Sequence, residues 1–126
     1  MKKYTQQEID DLIVIKNSKK HIKNIDFSYC DLSALQLNNI TFINCSFNYA
    51  KLNNVYLRCA NLNNINLSNV DLRYANLINA NLRNTNLIDT NLSYVNLSYA
   101  DLRNSYNTKE KTLDKDLLLK QMGIVL

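Results

Sequence analysis

The sequence predicts an all-β solenoid: short extended segments joined by corners, wound into a coil and closed at each end by a short helical cap. Three observations predict it. A leucine or phenylalanine returns every fifth residue without a slip, from Phe27, Leu32 and Leu37 through Leu97 and Leu102. Two places before each of these centres stands an uncharged residue, mostly small or β-branched, in a series that opens with Ile25 and Cys30 and closes with Val95 and Ala100. An Asn or Asp often fills the place immediately before the centre, as in Ala60-Asn61-Leu62, Ala75-Asn76-Leu77 and Ala100-Asp101-Leu102.

A period of five excludes the two ordinary templates. On an α-helix five residues advance by about 500°, so successive centres drift by about 140° and share no face. In a flat strand an odd period throws alternate centres to opposite faces. The pattern closes only if each unit is a short extended piece followed by a turn. Side chains alternate along such a piece, so the centre and the residue two before it point inward together. The residues flanking the centre then point outward, and the second residue after it forms the corner. The chain has one Gly and no Pro, so Asn takes the corner, being the non-glycine residue that best tolerates left-handed geometry.

These repeats resemble those of pentapeptide-repeat proteins, which read roughly Ala-(Asp/Asn)-Leu-X-X. The resemblance covers about two thirds of the chain. It implies a right-handed quadrilateral β-helix with four pentapeptides to a turn, hence about four coils here. The early repeats depart from the family pattern, with Leu35 and Ile40 where Ala is preferred and Phe at three centres. A locally wider or distorted first coil is expected there.

Taken in order, residues 1–21 read as an N-terminal capping helix and linker, 22–104 as the repeat β-helix and 105–126 as a C-terminal cap. The first helix is expected over residues 5 to about 16. Thr5 and Glu8 have capping-box spacing, and Tyr4 and Ile9 hold the two positions of a hydrophobic staple. Asn17-Ser18 breaks the helical pattern, and Val14-Ile15 leaves room for a short strand at its end. A solenoid needs such lids, because its open ends expose apolar core and unpaired strand edges. After Asn104 the register fails, with Asn107 where the next centre belongs. Lys109 to Met122 then reads as a helix presenting Leu113, Leu117, Leu118 and Met122 on one face, stopped by Gly123. That face is expected to cap the last coil or to form a homodimer, since related proteins often pair through their C-terminal ends.

Composition narrows the function. A chain of 126 residues with net charge +4 is one domain. The charge is spread thinly: six basic and five acidic residues lie in the repeat region, and no stripe of Arg or Lys forms a nucleic-acid footprint. Nucleic acid is therefore disfavoured as a partner. No apolar run has membrane-spanning length and no signal peptide is evident, so a cytoplasmic protein is expected. Cys30 and Cys45 fall on inward positions as reduced core filler, and Cys59 falls on a corner. His21, the only histidine, has no partner motif and reads as a surface residue. No Ser/His/Asp set, phosphate loop or metal-spaced cluster is present, so neither catalysis nor a cofactor is expected.

Function must therefore lie on the outward columns. Residues twenty apart would stack about 4.8 Å from one another. Tyr74 and Tyr94 then pair beside Arg73, Tyr29 and Tyr49 pair elsewhere, and Arg83 and Arg103 stack beside Asn81 and Asp101. Tyr and Arg are enriched at interaction hot spots, which makes Arg73, Tyr74, Tyr94, Arg83 and Arg103 the candidate partner surface. Asn44, Asn64, Asn84 and Asn104 form a corner column expected to hydrogen-bond up the stack. The reading reached is a non-catalytic scaffold or protein-interaction module. The alternative, implied by the family resemblance, is DNA mimicry that inhibits or protects DNA gyrase or topoisomerase IV. It needs an extended acidic face, and a near-balanced short rod argues against it.

Overall fold

A computed structural model describes residues 1–107; the readings of Leu113, Leu117, Leu118 and Met122 lie outside the described residues. The described chain is a β-helical solenoid. Within the repeats its parallel bridges join residues twenty apart, in columns that include Asp26↔Ser46, Asp31↔Lys51, Gln36↔Tyr56 and Thr41↔Asn61.

One unit shows why the repeat has five residues. Leu77 N–H donates to Asn96 C=O on the following turn (2.8 Å), and Asn79 N–H to Ser98 C=O (2.9 Å). Asn81 N–H donates to Ala60 C=O on the preceding turn (2.9 Å). Ala80 N–H closes a turn on Leu77 C=O (3.0 Å). The remaining N–H, that of Ile78, is taken by the side-chain Oδ1 of Asn76 (3.1 Å). All five consecutive donors thus have partners, as buried backbone requires. The corner residue has positive φ throughout, from Asn24 (59°) to Asn104 (61°). That value at the third residue of a hydrogen-bonded turn is the type II arrangement, which favours Gly or Asn. Asn supplies most of these corners, but Tyr occupies five of them: Tyr29, Tyr49, Tyr74, Tyr94 and Tyr99.

The inward assignment holds. Every centre from Phe27 to Leu102 is buried, Leu97 being the most open at 5 %. Of the residues two before the centres, only Ile25 is merely part-buried. Each buried centre contributes about 1.5–3 kcal/mol of transfer free energy. Inward hydroxyls are satisfied by main-chain oxygens: Thr85 Oγ1 donates to Leu82 C=O (2.8 Å), Thr90 Oγ1 to Leu67 C=O (2.8 Å) and Ser105 Oγ to Leu102 C=O (2.6 Å).

The N-terminal segment covers the first turn. Helix α1, Gln6–Leu12, begins with the expected capping box: Glu8 N–H donates to Thr5 Oγ1 (3.1 Å) and Thr5 N–H to Glu8 Oε2 (2.9 Å). It buries Ile9 completely, while Tyr4 meets Phe27 edge-on at 5.3 Å. Residues Lys2–Tyr4 act as an added strand beside Asp31, with Asp31 N–H bonded to Lys2 C=O and Tyr4 N–H to Asp31 C=O. The Gln6 amide does the same job beside Gln36, accepting from its N–H (2.8 Å) and donating to its C=O (3.0 Å).

The helix is shorter than expected, because Ile13 is already extended (φ −76°, ψ 125°). Strand β1 (Val14–Lys16) follows, then a turn with φ of 53° and 61° at Asn17 and Ser18, then β2 (Lys19–Lys23). Strand β2 pairs antiparallel with β1 and parallel with β3 (Ile40–Ile43), giving the sheet order β1-β2-β3. The early repeats keep the twenty-residue register, with Lys20 opposite Ile40 and Lys23 opposite Ile43. They differ from the later ones in that the β-prone run Ile40-Thr41-Phe42-Ile43 extends one bridge into a strand. Their rings pack together, Phe27 on Phe47 at 5.2 Å and Phe42 edge-on to Phe47 at 5.3 Å. At the other end the ladder runs two residues past Asn104. Ser105 is fully buried, and Tyr106 bridges Asn86 although Asn107 replaces the next centre.

Candidate interaction surfaces

Outward side chains leave the coil at three places in each unit, and each place has a distinct local chemistry. The residue before the centre turns its oxygen back on the chain. Besides Asn76, the Oδ1 atoms of Asp26, Asp31, Asn61, Asn66 and Asn81 accept the N–H two residues on. The Asn/Asp preference at that position is therefore structural.

Two Asp side chains do more. Arg73 Nε and Nη2 grip Asp71 at 2.9 and 2.7 Å, and Arg103 grips Asp101 at 2.9 and 2.6 Å. These are fork-to-carboxylate bonds, the strong kind. The Arg103 hydrogen bonds hold the Asp101 carboxyl down to about 2, with a further contribution from the charge of Arg83. The Arg73 hydrogen bonds likewise lower Asp71 and raise Arg73 itself. Arg83 differs, because its own unit offers Asn81 where the other two have Asp. Its backbone N–H bonds Asn81 Oδ1, but its Nε is enclosed with no hydrogen-bond partner among the described residues.

The corner tyrosines stack as the twenty-residue spacing requires. Tyr74 and Tyr94 lie parallel at 5.0 Å and 7°, and Tyr29 and Tyr49 at 5.0 Å and 5°. Tyr74 and Tyr94 remain 58 % and 76 % exposed, so stacking fixes the rings without hiding them. Arg73, gripped by Asp71, stands next to Tyr74. Arg83 and Arg103 belong to the column of Ile43 and Asn63, two columns away from that of Arg73, so the five candidate residues form two surfaces and not one.

The Asn corner column is only partly a ladder. Asn44 Nδ2 donates to Asn24 Oδ1 (2.9 Å), whereas Asn84 Nδ2 crosses to Asn63 Oδ1 (3.0 Å) in the neighbouring column. His21 is half-buried, paired between Val14 and Thr41, with Nδ1 enclosed and no hydrogen-bond partner among the described residues. It is less exposed than expected because β1 lies alongside it. Cys30 and Cys45 are buried and free, with both thiols pushed up by burial, and Cys59 is exposed at its corner. A shallow groove over Thr41, Asn44, Asn61, Asn63 and Asn64 carries amides and one hydroxyl, and the buried Cys45 lies among its lining residues. Among the described residues no three His, Cys, Asp or Glu side chains gather closely enough to hold a metal, and no helix is long and apolar enough to cross a membrane.

The repeat geometry has a match among known families. The model of the pentapeptide repeat region matches residues 20–97, more than half the chain, and the protein belongs to the pentapeptide-repeat family. Among solved structures it is similar to the pentapeptide repeat protein Rfr23 from the cyanobacterium Cyanothece 51142. That match has 30 % identity and a TM-score of 0.68, covering 75 % of this chain and 64 % of Rfr23. A weaker likeness, at 22 % identity and TM-score 0.38, is to HetL, a pentapeptide repeat protein involved in heterocyst differentiation regulation in Nostoc sp. strain PCC 7120; it covers 73 % of this chain and 49 % of HetL. The chain thus spans less than two thirds of either protein. A pentapeptide repeat protein of the Arabidopsis thaliana thylakoid lumen is 22 % identical with a TM-score of 0.36, over 79 % of this chain and 77 % of that one. No curated protein matches. Pentapeptide-repeat proteins are in general structural or interaction modules.

Proposed function

We propose that this protein is a non-catalytic scaffold that binds a protein partner through the surface of Arg73, Tyr74 and Tyr94. The reading takes the solenoid as a right-handed quadrilateral helix of about four coils, which the twenty-residue bridge register supports. The observation that carries it is the pair of parallel tyrosines, more than half exposed yet locked at 5.0 Å beside an arginine held by Asp71. Rigid aromatic groups lose little conformational freedom on binding, and Tyr and Arg are the side chains most often found at hot spots. Catalysis is disfavoured because the surface of Arg73, Tyr74 and Tyr94 offers phenol rings and an arginine already engaged by Asp71. The Arg83/Arg103 surface is the second contact region in this proposal, and the apolar residues Leu113, Leu117, Leu118 and Met122 the homodimer or cap surface. Two buried reduced thiols fit a cytoplasmic setting. DNA mimicry toward gyrase or topoisomerase IV gains no support from a surface on which Arg73 and Arg103 neutralise the acids beside them.

The test is affinity capture from a lysate of the source organism with wild-type bait, compared with bait carrying Arg73→Glu, Tyr74→Ala and Tyr94→Ala together. The control bait must unfold at a temperature close to that of wild type. A protein retained by wild type and lost by the control supports the assignment. Recovery of the same proteins by both baits removes this surface as the binding site.

A further inference from the structure

We propose that the free edge of β1 binds an extended acidic peptide segment by strand addition, at a site separate from the tyrosine surface. The hairpin geometry carries the proposal. Asn17 and Ser18 both have positive φ, the two-residue type I′ turn, so the closing pair Lys16 and Lys19 exchanges both hydrogen bonds. The next pair, Ile15 and Lys20, does not, because bonded and non-bonded pairs alternate. The N–H and C=O of Ile15 therefore point away from β2 along the open edge. Ile15 is 71 % exposed and Val14 53 %, so the edge that could accept a strand also displays adjacent large aliphatic side chains.

The charge around this edge selects the occupant. Lys16, Lys19, Lys20 and Lys23 lie on the hairpin, all exposed, and among the described residues none of them makes an ion pair. Charged side chains at an edge ordinarily repel further strands. Here they repel a basic strand, including β1 of a second copy, and attract an acidic one; attraction and rejection are both parts of specificity. The partner segment is accordingly extended, its alternate apolar residues on the face of Ile15 and its acidic residues on the opposite face, which Lys16 and Lys19 share.

The experiment titrates full-length protein into a fluorescent peptide of sequence Glu-Val-Glu-Val-Glu-Val and follows anisotropy. Saturable binding is expected, weakening in about 1 M salt, where the screening length falls to about 3 Å. Ile15→Pro removes the outward donor while leaving the bonds to β2, since proline is tolerated on an edge whose N–H faces solvent. It should weaken binding about fivefold, the net worth of one backbone hydrogen bond. A peptide N-methylated along one edge tests the same bond without altering the protein and should also bind more weakly. Slowed hydrogen exchange at the Ile15 amide on adding peptide locates the site. Absence of saturable binding, equal binding of the N-methylated peptide, or equally tight binding of Lys-Val-Lys-Val-Lys-Val overturns the proposal. So does a wild-type dimer that Ile15→Pro converts to monomer, because the edge would then serve a second copy.

Discussion

Truncating one centre in the middle of the ladder tests the closed interior most directly, and Leu77→Ala is the substitution of choice. Leu77 is fully buried. The twenty-residue register places Leu57 and Leu97 before and after it in its column, and the inward residues beside it in sequence are Ala75 and Ala80, each 1 % exposed. Replacing a buried leucine by alanine costs about 2–5 kcal/mol, the larger values arising where neighbours cannot move into the space. The alanine methyl has no rotamer that could move into the space, and the main chain on each side is pinned by Leu77 N–H to Asn96 and Asn79 N–H to Ser98. The loss should therefore lie in the upper half of that range, about 4 kcal/mol. At about 4 °C per kcal/mol for a domain of this size, Tm should fall by about 16 °C. Urea unfolding followed by far-UV circular dichroism would give the free energy, and a thermal scan the second value. A loss below about 0.5 kcal/mol, the size expected of a surface truncation, would refute the closed interior at this position.

Two further outcomes follow from the hydrogen bonds. Asn76→Ala removes the acceptor of Ile78 N–H and should lower stability by about 1 kcal/mol, while Asn76→Asp, which keeps the oxygen, should lose much less; equal losses in urea would show that the side-chain acceptor is not the cause. Asp101 has its carboxyl lowered from 3.8 to about 2 by Arg103, so its contribution to stability is present above about pH 4 and disappears as the pH falls toward 2. A carbon-detected NMR titration should place Asp101 near 2 and move it back toward 3.8 in Arg103→Ala; no movement would refute the pairing as the cause.

The fold was legible because one geometric demand recurs at every unit: an inward pair, an outward pair and a corner. Nothing in the list of centres needed long-range information, and Phe27 to Leu102 are all interior. The role of Asn and Asp before the centre was visible as a preference but not as a cause, since the need for an acceptor at the next-but-one N–H appears only when the ladder is traced. The shortness of α1 was hidden because Ile13, Val14 and Ile15 suit either a helix face or a strand, and pairing with β2 decides between them. The Asn column is less of a ladder than its spacing suggests: stacking brings Asn44 to Asn24 but sends Asn84 to Asn63. For the surfaces, spacing alone gave the tyrosine pairs, whereas the grip of Arg on Asp two residues earlier depends on rotamers that no spacing rule contains. The β1 edge is faint in the sequence because Asn-Ser is a weaker hairpin signal than Asn-Gly.

The local closure of hydrogen bonds within each unit and its neighbours bears on how such a chain can change length. A duplication of five residues placed after Asn84 would leave every N–H with a partner of the same kind, so little stability need be lost. Yet it would seat Tyr94 above Asn79 instead of Tyr74 and dissolve that ring pair. A duplication of twenty would lengthen the rod and keep every pair above and below the insertion in line. Gains and losses of single repeats therefore re-pair the outward side chains while every inward position keeps an uncharged occupant, and those of four repeats extend the columns in line.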